Sequence, residues 1–336
     1  MTILLPRLIQ GVQISAMGRP GMEGSSNPAR ESFSGSEYEH EPVMVDEILA
    51  DLQLAKGATV VDGTLGLGGH TERFIREVHP GGTVVGFDWD ESMLERARAR
   101  LGEPEGVRLV LVHDDFRNMS DSLSRLEIRP NGILLDLGLN SAQVDDASRG
   151  FSFREPGPLD MRMDRASGEP ASAVLNRMTP AQLERAIFDY GDERWARAIS
   201  RAIVERRQKA PLKTTDDLVE CVLAAIPVRA REKRIHPATR TFQAIRILVN
   251  GELEGLEEAV TDAALCLAAG GVLCVLSYHS GEDRIVKNVF RNLAKDGFDE
   301  LHKKPMQPTD AEIRRNSRSR SAKLRSLKRA PLGAKG

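Results

Sequence analysis

The sequence predicts an α/β protein, an open and doubly wound parallel sheet interrupted by an all-helical insertion. Three observations carry that expectation. Between residues 58 and 136, short apolar runs without strict alternation recur between segments of helical period, the pattern of strands covered by helices on both faces. A glycine-rich turn follows the first of these runs directly. After Gln143 helices alone continue, until a last apolar run, Val272 to Ser277, restores the alternation.

Taken in order, residues 1–37 are rich in Gly, Ser, Pro and Met without either period, and are expected to form a poorly ordered extension. Ile3-Leu4-Leu5 lacks the basic lead, sustained apolar stretch and small-residue cleavage site of a secretory signal, and Met17 or Met22 is an alternative start. Order begins near Pro42, where Val45, Ile48, Leu49 and Leu52 share one helix face. Strands are expected over 58–62, 83–88, 107–112 and 133–136, with helices from His70 to Val78 and from Glu91 to Leu101 between them. Thr179-Pro180-Ala181-Gln182 starts a helix as a capping box with proline at the first helical position. Another helix starts at Thr214 or Thr215 and stops at Pro227. One long helix is expected from Phe242 through Leu256 to Leu267, ended by Gly270-Gly271. The resulting division is an extension over 1–37, a sheet core over 38–145 and 241–310, a helical substrate-facing insertion over 146–240, and a basic tail over 311–336.

The net charge of -2 over 336 residues conceals a segregation. From Arg194 to Arg240 there are 12 Lys/Arg against 5 Asp/Glu, and from Ala311 to the end 9 against 1. Two basic segments against an acidic remainder suit a phosphate-bearing partner, although solvated helix faces and a disordered tail would give the same count. The apolar runs fall far short of the roughly 18 residues of a membrane span. Cys221, Cys266 and Cys274 form no CxxC pair and have no histidine cluster nearby, which excludes a disulfide scaffold and a zinc ribbon. No metal is expected, and a reducing cytoplasm fits.

The segment Asp62-Gly63-Thr64-Leu65-Gly66-Leu67-Gly68-Gly69-His70 joins a strand to a helix. Glycines there let the backbone turn with positive φ and approach a ligand. A phosphate-binding P-loop needs Gly-Lys-Ser/Thr, which is absent, and a dinucleotide fingerprint needs glycine where Thr71 stands. The acid at the strand end favours an S-adenosylmethionine loop. Asp88, at the end of the next strand, stands where doubly wound nucleotide sites place a carboxylate on ribose hydroxyls; alone it would read as an acid at a helix start. Asp114-Asp115-Phe116 closes the third strand, as an adenine bracket or as a plain turn. Asp136-Leu137-Gly138-Leu139-Asn140-Ser141 ends the fourth at the sheet's carboxyl edge. The tetrapeptide usual in DNA amino-methyltransferases is absent there, and no Pro-Cys nucleophile for C5-cytosine chemistry exists.

Further motifs are Gly150-Phe151-Ser152-Phe153, the run Leu159 to Asp164 (LDMRMD), the run His236 to Ile247 (HPATRTFQAIRI), and Ser277 to Arg284. Singly, Met161 and Met163 read as core, Arg162 with Asp164 as a salt bridge, and His236 as a helix-start residue. In combination, from His40 to Arg325, the sequence resembles the bacterial small-subunit (16S) ribosomal RNA N4-cytosine methyltransferases, the RsmH or MraW family. The resemblance implies a class I, Rossmann-like methyltransferase core with an inserted helical domain. It implies S-adenosylmethionine as methyl donor, and as partner small-subunit rRNA or the assembled small ribosomal subunit. Position by position it places Gly68, Gly69, His70, Asp88, Phe116, Asp136 and Gln143 on the cofactor. Two departures stand out: Asn140 and Ala142 within the segment after the fourth strand, and Tyr278 where the family usually has phenylalanine.

Methylation of an exocyclic amine needs the nitrogen held in line with the methyl, and an acceptor for its protons. Asp136 and the Asn140 side-chain oxygen are candidate acceptors, with Asp160 or Asp164 as alternatives. Arg162, Arg229, Arg231, Lys233, Arg234 and Arg240, with the arginine-rich tail, are expected on RNA phosphates around a base splayed from its stack. A non-enzymatic RNA-binding assembly factor on the same scaffold is the alternative; the glycine loop paired with Asp88 argues against it. The sequence leaves the oligomeric state open, a homodimer included.

Overall fold

Five parallel strands form the centre of one mixed sheet: β2 (Thr59–Asp62), β3 (Thr83–Asp88), β4 (Arg108–His113), β5 (Gly132–Asp136) and β6 (Val272–Ser277), in the order β4-β3-β2-β5-β6. They form because Val60-Val61, Val84-Val85, Val110 to Val112, Ile133 to Leu135 and Val272 to Leu276 are apolar, many of them β-branched, and are buried. Register is regular, with Val61 opposite both Val85 and Ile133, and Ile133 opposite Leu273. Beyond β6 lies β8 (Lys323–Arg329), antiparallel, and then β7 (Phe298–Glu300); at the other edge β1 (Val12–Gln13) pairs antiparallel with β4. The strand order reverses between β2 and β5, which makes this a doubly wound sheet of the class I methyltransferase kind, as expected.

The computed structural model describes residues 12–13, 41–139, 141–232 and 235–331, so the expected 1–37 extension lies outside the described residues apart from β1. The chain divides into two units, Met1–Leu137 with Glu258–His279 and Val286–Gly336, and Gly138–Glu257 with Ser280–Ile285. The helical unit is therefore wider than the expected 146–240.

In the sheet unit, α1 (Val45–Leu52), α2 (Gly69–Val78) and α3 (Glu91–Leu101) follow the predicted spans, and α3 is capped by Asp90, whose side chain accepts the Ser92 N–H. A core of Ile48, Leu52, Val60, Phe74, Val84, Leu134, Cys274 and Leu324 ties α1 and α2 to the sheet. α4 (Met119–Arg125) completes this stretch.

The helical unit holds α5 (Ser141–Asp145), α6 (Ala171–Arg177), α7 (Pro180–Gly191), α8 (Ala196–Lys209), α9 (Thr215–Ala225) and α10 (Thr239–Asn250). Its core is Leu159, Leu175, Leu183, Ile187, Ile199, Ile203, Leu218, Val222 and Ile245, all fully buried. The predicted capping box of Thr179 with Gln182 is present on α7, and α9, expected to start at Thr214 or Thr215, carries a second one, Thr214 with Asp217.

Two expectations are corrected. The long helix from Phe242 to Leu267 is two helices, α10 and α11 (Leu256–Cys266), because Gly251 adopts a left-handed φ of 57° and its N–H closes on the Ile247 carbonyl as a C-cap. After α12 (Ser280–Leu293), the expected tail from 311 is folded: α13 (Asp310–Arg315), a 3-10 turn over Ser317–Ser321, then β8 inside the sheet.

Candidate active site

The site of the sheet unit is built at the carboxyl edge of β2, β3 and β5, beside the strand-order reversal. Asp62 ends β2 and is buried; its Oδ2 accepts the Thr71 hydroxyl at 2.7 Å and its Oδ1 the Thr64 N–H at 3.2 Å. Burial raises its pKa, with the His70 charge and these hydrogen bonds working against that rise. Asp62 therefore fixes both ends of the glycine loop instead of facing a ligand.

Within the loop, a Cβ on Gly63 would stand 2.5 Å from Leu135 Cδ2 and 3.3 Å from the Leu134 carbonyl oxygen, so a larger residue would have to push the Leu135 side chain aside where the chain leaves β2 beside β5. Gly68 takes φ 77° and is the N-cap of α2, a conformation that L side chains rarely adopt. Leu65 N–H donates to the Phe87 carbonyl at 2.8 Å, which ties the loop to the end of β3.

Asp88 ends β3. Its Oδ2 accepts the Gly66 N–H and its Oδ1 the Asp90 N–H, both at 2.9 Å. Each carboxylate oxygen carries two acceptor positions, so the bonds to Gly66 and Asp90 leave further capacity for hydroxyl donors. Burial pushes this carboxyl up to about 6, with the Asp90 and Asp62 charges adding to the rise and the two N–H donors opposing it. Such a group gains from additional donors, which is the chemistry of a ribose diol.

His70 is buried at the start of α2, with Nε2 2.9 Å from the Val43 carbonyl and Nδ1 3.8 Å from Asp136 Oδ2. A carbonyl only accepts, so the neutral ring carries its proton on Nε2 and turns the Nδ1 lone pair toward Asp136. Asp136 itself, at the end of β5, donates its N–H to the Thr64 hydroxyl at 2.7 Å, and its Oδ1 accepts the Tyr278 hydroxyl at 2.7 Å. Thr64 and Tyr278 are absent from the sequence-derived set. Thr64 sits inside the recognised loop, whereas Tyr278 meets Asp136 from 142 residues away, through the pairing of β5 with β6.

Asp114 and Asp115 both hold the turn after β4. Asp114 accepts from Asp115 N–H, Asn118 and Ser122, while Asp115 caps the following 3-10 turn and pairs with Arg117. Phe116 is half-buried. Trp89, also half-buried and missed from sequence, follows Asp88 directly and carries the Arg117 guanidinium 5.6 Å from its ring centroid.

A family model, the MraW methylase family, matches residues 37–330. The ribosomal RNA small subunit methyltransferase H of Geotalea uraniireducens (strain Rf4) is 43% identical over 311 residues, 88% of this chain and 99% of its own. The protein of that name from Desulfotalea psychrophila is 44% identical over 287 residues, 85% of this chain and 96% of its own. The chain belongs to the MraW methylase family. A solved rRNA-methylase structure from Clostridium thermocellum, itself described as putative, aligns with a TM-score of 0.43 at 14% identity, over 85% of this chain and 94% of that one.

The remaining residues expected from the sequence lie in the helical unit or outside the described residues. Gln143 is buried on α5. Asn140, Lys233 and Arg234 lie outside the described residues. Asp160 and Arg162, expected as an amine acceptor and a phosphate contact, are paired with each other. Arg162 Nε is 2.7 Å from Oδ1 and its NH2 group 3.0 Å from Oδ2 of Asp160. Partial burial acts to raise the Asp160 carboxyl, but the Arg162 hydrogen bonds and the Arg162 and Arg165 charges prevail and hold it below the usual range. The predicted Arg162–Asp164 bridge is replaced by this pair, and Asp164 accepts from Ala166 N–H and Ser167 instead.

Met161 and Met163 are core, as read from sequence, and Met161 takes a left-handed φ of 60°. Asn250 holds that strained segment, donating to the Met161 carbonyl at 2.8 Å and accepting the Met163 N–H at 2.7 Å. His236 accepts the Ala238 N–H on Nδ1 at the start of α10, and its ring lies tilted against that of Phe153, with centroids 4.6 Å apart.

Arg231 donates to the Leu223 and Ile226 carbonyls and so closes the end of α9, and Arg240 pairs with Glu232 at 2.9 Å. Arg229 is exposed. Trp195, His236, Arg194, Arg231 and Arg240 border a shallow hollow in this unit.

Proposed function

We propose that this protein transfers a methyl group from S-adenosylmethionine to the exocyclic N4 of a cytosine in small-subunit ribosomal RNA. The observation that carries the reading is Asp136, a carboxylate held at the carboxyl edge beside the strand-order reversal by Thr64 and Tyr278, next to a glycine loop fixed on Asp88. The family membership and the names of the relatives support it.

The residues present fit the donor. Asp88 has acceptor capacity for ribose hydroxyls, Gly68 and Gly69 bring backbone close at the start of α2, and Phe116 and Trp89 supply rings beyond β3 and β4. S-adenosylmethionine, when bound, supplies a methyl group already activated by its positive sulfur.

The protein's own task is then placement and proton handling. Asp136 accepts a hydrogen bond from the cytosine amino group, which draws its lone pair out of conjugation with the ring, and takes the proton that methylation releases. Asp160, occupied by Arg162, is a weaker claimant for that role than the sequence suggested. In the helical unit, the rings of Trp195 and His236 border one hollow and offer surfaces on which an unpaired base can stack.

The test is tritium transfer from labelled S-adenosylmethionine to small ribosomal subunits lacking the modification, followed by nucleoside digestion. N4-methylated cytidine is the expected product. No transfer, with the cofactor bound in a parallel titration, would overturn the reading in favour of a non-enzymatic assembly factor.

A further inference from the structure

Tyr278 follows β6 directly, and β6 pairs with β5 so that Leu276 lies opposite Asp136. The Leu137 N–H to Leu276 carbonyl bond, 3.1 Å, continues that pairing past the end of β5. The Tyr278 ring packs against the core that contains Val43, Ile48, Leu276 and Leu324, and its hydroxyl donates to Asp136 Oδ1 at 2.7 Å. The ring is thus anchored in apolar surroundings while its polar tip touches the one carboxylate to which the reaction assigns proton handling.

A carboxylate needs such an anchor. The terminal torsion of an aspartate is broad and is not fixed by rotamer preference, so only hydrogen bonds orient its two oxygens. His70, which also faces Asp136, does not donate to it when neutral. Its proton is on the nitrogen bound to the Val43 carbonyl, and the nitrogen facing Asp136 is 3.8 Å away. Thr64 holds the Asp136 backbone N–H and leaves the carboxylate orientation to others.

We propose that Tyr278 is a positioning residue for methyl transfer: its hydroxyl holds Oδ1 of Asp136 and orients the carboxylate for the incoming amino group. The proposal rests on the methyl-transfer reading. A neutral hydroxyl that orients a carboxylate contributes about one hydrogen bond. The expected effect of its loss is a several-fold change and not abolition.

The experiment compares the full-length protein with Tyr278→Phe, which keeps the ring in its seat and removes one oxygen. Steady-state kinetics on unmodified small subunits, cofactor titration and thermal melting are measured for both. The expected result is a roughly fivefold fall in kcat, the worth of about one hydrogen bond, with both KM values and cofactor affinity within about twofold, since an interaction felt mainly in the transition state lowers kcat alone. A variant with wild-type kcat overturns the proposal. So does a loss spread over KM, cofactor affinity and melting temperature, which marks a structural role. A wild-type protein that transfers no methyl group defeats the reading beneath it, and the role of Tyr278 falls with it.

Discussion

At the scale of single residues, the carboxylates of the sheet unit differ in what their surroundings ask of them. Asp62 is committed to Thr64 and Thr71, Asp136 to Tyr278, and Asp88 holds Gly66 and Asp90 while keeping acceptor capacity. The Asp88 carboxyl, pushed up to about 6 by burial, gives cofactor binding a pH dependence whose sign follows directly. Because its folded pKa is raised, its contribution to folding stability is complete below the ordinary value of 3.8 and is lost as pH rises through about 6. Cofactor binding works the other way, since ribose hydroxyls donate to the ionised form and must displace the proton where it is present. The dissociation constant for S-adenosylmethionine should therefore weaken as pH falls below about 6, approaching tenfold per pH unit, with little change above 7. Titration calorimetry at pH 5, 6 and 7 measures this, and Asp88→Asn should bind more weakly with a flat profile. Equal affinity of the wild type at all three pH values would remove Asp88 from the cofactor.

At the scale of elements, β8 is the most instructive. Its sequence, Lys323 to Arg329, has two leucines among basic residues and reads as part of a charged tail, yet it lies between β6 and β7. The polar side chains are accommodated individually. Ser326 donates to the buried Asp51 at 2.5 Å, His302 contacts the same carboxylate at 2.9 Å, and Arg329 donates to the Leu265 and Leu267 carbonyls. Ser326→Ala should destabilise the fold by about 1–2 kcal/mol, the cost of taking a donor from a buried carboxylate, measurable by urea unfolding. A midpoint unchanged from wild type would mean that β8 depends on its backbone ladder and leucines alone. The same contrast explains what was legible in the sequence. Strands whose own residues are apolar, such as β2, β5 and β6, announce themselves, as do the capping box at Thr179 and the helix start near Thr214. A strand stabilised by polar partners far along the chain carries no local pattern, and the α10–α11 break hides because Gly251 interrupts a hydrophobic period that continues on both sides.

At the scale of the whole molecule, the site divides in the same way. Gly68, Asp88 and Asp136 were readable because each lies at a strand end or in a turn whose position in the fold is set locally. Pairings such as Tyr278 with Asp136 depend on which strands become neighbours, and Arg162 with Asp160 on how a loop closes. The basic segments show this most clearly, because net charge counts arginines without saying which are occupied. Arg231 closes α9, Arg240 pairs with Glu232 and Arg162 with Asp160, whereas Arg229 in the helical unit and Arg314 and Arg320 in the sheet unit are exposed. Only a cation that gives up small ions to a phosphate contributes to the salt dependence of RNA binding. Replacing Arg229, Arg314 and Arg320 together by alanine should reduce the slope of log affinity against log salt by about two, at roughly 0.7 per phosphate contact on single-stranded RNA. Cofactor affinity and melting temperature should stay as they are. Arg231→Ala should do the reverse, lowering the melting temperature through the uncapped carbonyls of α9 while leaving the slope nearly intact. Filter binding to a ribosomal RNA fragment across a salt series separates the two; an unchanged slope in the triple variant would place the RNA on other cations.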